Sequence, residues 1–275
     1  PMSCIVGAAH AQYHTKIGSY KHNMGIVRGG KCAILAGAGP MGMGCIDYLV
    51  HGPRHPKLLV VTDIDQARID RAAQIMTIED ARRHNVKLVY INTKAVADPV
   101  AQLRGLTNGT GFDDAFVFAP VAPVVEQGDA ILGRNGCLNF FAGPTDPAFA
   151  ARFNFYNVHY AETHIVGTSG GNTDDMRESL VLMSGSKINP ASMITHIGGI
   201  TAGVATILDL PEIPGGKKLI YTQSDLPLTA IADFEKVGQG NPLFAKLGEI
   251  CARHKMLWNV EAEEYLLANG PKYSV

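Results

Sequence analysis

Charge of one sign is what this 275-residue chain lacks most plainly: 24 Lys and Arg against 25 Asp and Glu leave a formal net charge of −1. That balance removes the electrostatic reason to expect nucleic acid or an anionic membrane as a partner. No apolar run reaches the roughly 18 residues of a membrane span, and the N-terminus lacks the basic, apolar, small-residue order of a signal peptide. Cysteine is sparse and scattered. Cys4, Cys32, Cys45, Cys137 and Cys251 form no Cys-x-x-Cys pair, so neither a disulfide framework nor a Cys-rich zinc lobe is indicated, and a reducing, cytoplasmic compartment fits. There is no internal repeat and no low-complexity segment. The chain opens on Pro1 rather than Met, which suggests a segment of something longer, although Met2 offers a start. At 46% hydrophobic and 18% charged, what is present is a soluble globular chain able to fill one large core or two smaller ones.

The stretch from Lys31 to Asp63 carries the most information. Lys31-Cys-Ala-Ile-Leu-Ala36 reads as an apolar strand, Gly37-Ala-Gly39-Pro40-Met41-Gly42 as a Gly-x-Gly-x-x-Gly turn, and the residues up to Gly52-Pro53 as a helix. Leu58-Leu-Val-Val-Thr-Asp63 is a second apolar strand, ending on an acid 21 positions after Gly42. That order is a dinucleotide-binding βαβ unit. Gly37 permits the tight turn, Gly39 lets the backbone approach a pyrophosphate, and Gly42 lets the helix sit close to the sheet. Pro40 gives up an N–H that the first helical turn does not need, and the N–H groups that remain favour a phosphate anion. Asp63 is placed to accept from the ribose hydroxyls of an adenosine and to repel a 2′-phosphate, which favours NAD over NADP. Arg68, about one turn further on, is the residue that would meet a phosphate instead; its other reading is a solvated surface arginine. A methyltransferase, the usual confuser, carries an acid just before the glycines, where this chain has Leu35-Ala36.

The alternation continues. Asp65 to Met76 predicts a helix, Lys87 to Ile91 a strand, Pro99 to Leu106 a helix, Asp114 to Ala119 a strand, Val124 to Leu132 a helix and Cys137 to Ala142 a strand. His164 to Gly167 is a sixth strand, and from Thr173 a helix with Met176, Leu180 and Met183 on its apolar side runs to Gly185. The fold class expected is α/β: a doubly wound, mostly parallel sheet of about six strands, with a C-terminal helical extension. Its ligand belongs beyond the carboxyl ends of the strands, at Gly37 to Gly42, Ala119-Pro120, Ala142-Gly143 and Thr168-Ser169. Ahead of this unit, residues 1–14 predict a helix that places His10 and His14 on one face, a weak metal pair with no carboxylate or cysteine beside it in sequence; Thr15 to Gly30 reads as a loop. After Pro190 the pattern changes, and Lys217 to Tyr221 reads as a final strand. Asn241-Pro242 and Asn259 open helices, the first with Phe244, Leu247, Ile250 and Cys251 on one face, packing on the core or on a partner subunit. The division expected is 1–190 as the dinucleotide-binding domain, its first 30 residues a leading helix and loop, and 191–275 as a second segment.

Pro1-Met-Ser-Cys4, Gly37-Ala-Gly-Pro-Met-Gly42, Val61-Thr-Asp63, Gly109-Thr-Gly-Phe-Asp113, and Gly167-Thr-Ser-Gly-Gly171 through Gly185-Ser-Lys-Ile-Asn-Pro190 occur in this order. As a series over roughly residues 1–222, the chain resembles the zinc-type medium-chain alcohol dehydrogenases, and within them the L-sorbose-1-phosphate reductase group of polyol and sugar-phosphate dehydrogenases. The resemblance implies a zinc-dependent oxidoreductase that exchanges hydride between NAD and an alcohol or ketone carbon of a small polyol or sugar phosphate. It also implies a homodimer in which the sixth strand pairs with its symmetry mate, a catalytic domain before Pro1 that supplies the zinc ligands, and a segment after Pro190 that returns toward that domain.

None of those ligand positions is in this sequence, so no residue is assigned as catalytic or metal-binding, and His10, His14, His159 and His164 are not recruited in their place. His196 is a candidate to approach substrate or cofactor, or else an ordinary connecting residue. The cofactor-binding residues expected are Gly37, Gly39, Pro40, Met41, Gly42, Asp63, Arg68, Ala119, Pro120, Gly143, Thr168 and Ser169. The alternatives to an enzyme portion are a stand-alone NAD-binding or redox-sensing module without turnover, and a structural remnant.

Overall fold

The computed structural model describes residues 1–274 and divides into two compact units, Pro1–Asn189 and Pro190–Val275. In the first, β1 (Lys31–Leu35), β2 (Leu58–Asp63), β3 (Lys87–Asn92), β4 (Phe112–Val117), β5 (Leu132–Phe140) and β6 (His164–Gly167) form one six-stranded sheet in the order β3-β2-β1-β4-β5-β6. Every pairing is parallel. The order reverses between β1 and β4, and β1 can be central because Cys32, Ala33, Ile34 and Leu35 are all fully buried, as a strand covered by helices on both faces must be. The doubly wound α/β fold follows from this alternation.

Five α-helices of this unit start at residues whose side chains accept from the free N–H groups of the first turn. Helix α1 spans Met2–Ala11, and α2, Pro40–His51, has Gly39 as its N-cap and Pro40 in its first turn. Asp65 caps α3 (Gln66–Ile75) through the Ala67 and Arg68 amides, and Thr77 caps α4 (Ile78–Arg83). Asp98 caps α5 (Pro99–Leu106); α6 is Ala122–Ile131, and Asn154 caps α7 (Phe155–Tyr160). A capping box between Asn172 and Asp175 opens α8 (Thr173–Ser184).

Two local expectations are corrected. The leading helix stops at Ala11, and Tyr13–Thr15, at the end of the expected helix, pairs with His22–Met24 of the expected loop as a short antiparallel hairpin. His14 therefore lies on a strand and shares no helix face with His10: its ring meets Asp114 at 3.1 Å and the Asn135 carbonyl at 2.9 Å, whereas His10 meets Asp175 at 2.8 Å. The second correction is the face of α8. Asp175 and Ser179 are buried while Met176 and Leu180 are 49% and 62% exposed, because α8 lies so close to α1 that a Cβ on Gly7 would sit 2.9 Å from Asp175 Oδ2.

In the second unit, β7 (Ile194–Gly199) pairs in parallel with β8 (Lys217–Tyr221) and antiparallel with β9 (Thr229–Ala230). Helices α9 (Gly203–Leu208), α10 (Phe234–Gly238), α11 (Pro242–Arg253) and α12 (Val260–Asn269) complete it. Phe244, Leu247, Ile250 and Cys251 from α11 pack with Ile197, Tyr221, Phe234, Trp258 and Leu266 in a core of this unit, so the C-terminal helices pack on their own sheet. His196 is buried here, its Nδ1 2.9 Å from Thr195 Oγ1. No described helix is long and apolar enough to cross a membrane.

Candidate functional site

At the carboxyl ends of β1, β2 and β4 the first unit opens a cleft of about 380 Å³ lined by the β1–α2 loop, the end of β2, Arg68, Thr93 and the start of α6. The three loop glycines serve different steric ends. A Cβ on Gly42 would lie 2.0 Å from the Gly37 carbonyl oxygen, so only glycine lets α2 start this close to the strand that feeds it. A Cβ on Gly37 would meet Ile34 Cγ2 at 2.3 Å, while one on Gly39 would meet nothing within 4 Å. The left-handed backbone of the turn is carried by Ala36 (φ 52°) and not by Gly37, which is needed for room. No side chain caps α2, so the free N–H groups and positive end of this helix are left to an anion beside the open face of Gly39.

Asp63 ends β2 with 5% exposure. Its Oδ2 accepts from the Ala38 amide at 3.1 Å, and its Oδ1 accepts from the Ile64 and Asp65 amides at 2.8 and 3.1 Å. An ionised carboxylate has about four acceptor positions, so three are occupied and one is left for a ligand hydroxyl. The carboxylate thus shapes the loop as well as facing the cleft. Arg68, 59% exposed at its side chain, stands 3.5 Å from Asp65 and lines the same cleft.

Of the residues expected from sequence, Gly39, Pro40, Met41, Gly42, Asp63, Arg68 and Ala119 line the cleft; Gly37 and Pro120 sit within one residue of lining positions. Gly143, Thr168 and Ser169 follow β5 and β6 and are not in its lining, although the buried Thr168 hydroxyl has no hydrogen-bond partner. Thr93, Phe118, Val121, Val124 and Gln127 line the cleft without having been expected. For Thr93 and Phe118 the signal was available, since each follows the carboxyl end of a strand flanking β1 or β2; Gln127 becomes visible only once α6 has an orientation.

A catalytic zinc can be weighed against the donors present. A cysteine ligates a metal as the thiolate. Burial pushes the Cys32 and Cys45 thiols well up, that of Cys137 to about 12 and that of Cys251 to about 11. Among the described residues, one group of His, Cys, Asp and Glu lies close enough together to share an ion: His51, Asp80 and His84. His51 is 11 residues along α2 from Pro40, a rise of about 16 Å. These donors do not fit a metal acting at the cleft.

Residues 59–185 match the family described as zinc-binding dehydrogenases. Mannitol-1-phosphate 5-dehydrogenase of Aliivibrio fischeri is 54% identical over 97% of this chain and 63% of its own length. L-sorbose 1-phosphate reductase of Klebsiella pneumoniae is 45% identical over 98% of this chain and 62% of its own length. The chain thus spans a little under two thirds of the curated relatives it matches. Among solved structures, 2R,3R-butanediol dehydrogenase from Bacillus subtilis has a TM-score of 0.56 at 18% identity, over 80% of this chain and 56% of that one. An alcohol dehydrogenase zinc-binding domain protein from Burkholderia ambifaria reaches 0.59 at 21% identity, over 82% and 54%. At these identities the structural likeness concerns the fold.

Proposed function

Since the chain belongs to the zinc-type medium-chain alcohol dehydrogenases, we propose that its first unit is the NAD-binding part of an oxidoreductase acting on a polyol or sugar phosphate. The observation that carries this reading is the meeting of Gly39, Gly42, the uncapped start of α2 and Asp63 in one cleft at the carboxyl edge of the sheet. Two relatives are named for a polyol phosphate and a sugar phosphate, which supports the substrate class.

Bound NAD supplies the acceptor or donor of a hydride. The chain's own residues bind and orient. The open backbone at Gly39 and the N–H groups of α2 hold the pyrophosphate, and the last acceptor position of Asp63 takes a ribose hydroxyl. The Asp63 charge disfavours a 2′-phosphate. Arg68 does not reverse that preference, because Asp65 draws it at 3.5 Å. The apolar wall of Phe118, Val121 and Val124 excludes water from the inner cleft. The cleft lining carries no His or Cys that could hold a zinc. The same observation supports a second reading, cofactor binding without turnover.

Fluorescence titration of the chain with NADH and NADPH tests the proposal. NADH binds measurably and more tightly; equal affinities would sink the role given to Asp63, and no binding of either would sink the cofactor reading. Incubation with mannitol 1-phosphate, NAD and zinc is expected to yield no NADH. Turnover there would overturn the assignment of this chain to cofactor binding alone.

A further inference from the structure

We propose that His51, Asp80 and His84 form a second, non-catalytic site that takes a divalent transition cation of borderline softness, with zinc as the best-matched ion, and ties the carboxyl end of α2 to α4. The inference does not depend on what the nucleotide cleft binds.

Three side chains from two helices converge on this point. His51 is the last residue of α2, Asp80 lies in the first turn of α4, and His84 is the C-cap of α4. One ligand atom from each lies within 4.8 Å of the others. Two imidazole nitrogens and a carboxylate oxygen, with a fourth position open to water, form a donor set that suits zinc and its neighbours better than magnesium or calcium. Zinc–nitrogen and zinc–oxygen distances of ~2.0–2.1 Å place tetrahedral ligand atoms about 3.3 Å apart. His51 Nε2 and Asp80 Oδ2 now stand 2.8 Å apart and would open slightly, while His84 would close in. Its ring already packs edge-on against His51, with centroids 4.6 Å apart.

The preparation of His51 distinguishes the cluster from a chance surface group. Its Nδ1 lies 2.7 Å from Oδ1 of Asp47, a carboxylate only 2% exposed, whose other oxygen accepts from the Asn189 backbone amide at 2.6 Å. A carboxylate held on both oxygens is a fixed acceptor, so Nδ1 carries the proton and Nε2 is the end of the ring turned to a ligand. This is the carboxylate–histidine–metal arrangement in which an outer partner fixes both tautomer and ring orientation. The carboxyl end of α2 also presents the negative end of its helix dipole to a cation. The positive charge that opposes is Arg83, 3.2 Å from Asp80 Oδ1 and 74% exposed, which can keep the outer oxygen or swing into solvent. The competing occupant is a proton, with a His51 imidazolium bridging Asp47 and Asp80. That arrangement leaves the His84 ring without a hydrogen-bond partner among the described residues; a metal would take its lone pair as a ligand.

The test is isothermal titration of the chelator-stripped chain with zinc chloride, alongside the His84→Ala and Asp80→Asn variants, with His84→Gln in place of His84→Ala should that variant fail to fold by circular dichroism. The wild-type chain should show one saturable zinc site whose occupation raises the thermal unfolding midpoint. Each variant should bind zinc more weakly by over about tenfold, a loss that removal of even an outer partner commonly causes, and should gain no thermal stabilisation from zinc. NADH affinity should be the same in all of them, because Asp80 and His84 lie outside the cleft lining. Absence of saturable zinc binding, or wild-type zinc affinity in either folded variant, overturns the proposal.

Discussion

At Gly42 an added Cβ would fall 2.0 Å from a backbone oxygen, whereas at Gly39 it would meet nothing within 4 Å. Two substitutions of the same size should therefore fail differently. Gly42→Ala forces α2 away from its strand and is expected to destabilise the first unit by about 1–3 kcal/mol, the usual cost of overpacking, as read by urea unfolding. Gly39→Ala should unfold near the wild type yet lose at least about tenfold in NADH affinity, since its methyl group projects where the pyrophosphate must approach; full affinity in that variant would remove Gly39 from the site. A second residue-scale prediction concerns His14. Its Nδ1 faces a carbonyl, an obligate acceptor, and its Nε2 faces the Asp114 carboxylate. Burial alone would lower its pKa, but the hydrogen bond and charge of Asp114, with the Asn135 carbonyl, outweigh that and raise it above 6.5. A histidine whose pKa is raised on folding contributes stability that is fully present below the unfolded value and lost as pH rises through the folded one. The urea midpoint should accordingly fall as pH climbs from 6 toward 8, with a shallower fall in His14→Gln; equal slopes would show that His14 does not carry the dependence.

Strand β6 pairs only with β5, and its far edge faces no strand among the described residues. Ile165 on β6 is 41% exposed, and Tyr156 and Tyr160 beside it in sequence are 68% and 61% exposed. An apolar edge with free N–H and C=O groups is a template for pairing with a second copy, so light scattering should report a dimer that Ile165→Lys shifts toward monomer. An unchanged mass in that variant would place any association elsewhere. The strands themselves were legible in the sequence because each is a short, nearly continuous apolar run, the mark of a strand buried on both faces. So was the glycine turn between β1 and α2, since the room at Gly42 is fixed by local geometry. What could not be read was whatever depends on distant partners. Asp175 and Ser179 look like the solvent side of α8, and they are buried because His10 and the small residues of α1 reach them from some 165 positions away. His14 looks like the end of a helix until Asp114 and Asn135, more than 100 positions on, give its ring two acceptors. Thr93 and Gln127 belong to the cleft for the same reason: only the assembled sheet brings them to its edge.

The two units of the chain carry separate cores, and one residue makes that separation measurable. Ala33, Leu35, Val60, Phe112, Val117 and Leu138 belong to a core built wholly within the first unit. Ile197, Tyr221, Phe234, Phe244, Ile250, Trp258 and Leu266 belong to a core of the second. Trp258, the single tryptophan, is 3% exposed, and its indole N–H donates to the Tyr221 hydroxyl at 2.7 Å, which in turn donates to Glu263 at 2.6 Å. Its fluorescence therefore reports the second core, while the NADH binding proposed for the Gly39–Asp63 cleft would report the first unit. Phe244 is 1% exposed and packs against Phe234 with ring centroids 5.4 Å apart; the same Phe234 ring meets Trp258 edge-on at 6.4 Å. Truncating it removes an aromatic ring from a filled space, which costs about 3–5 kcal/mol. Phe244→Ala is expected to lower the unfolding free energy of the tryptophan-detected urea transition by that amount while NADH binds as to the wild type, because the residues lining the Gly39–Asp63 cleft all belong to the first unit. A parallel loss of NADH affinity in a variant whose first unit keeps its circular dichroism would mean that the nucleotide unit draws its geometry from the second core, and that the two are one cooperative body.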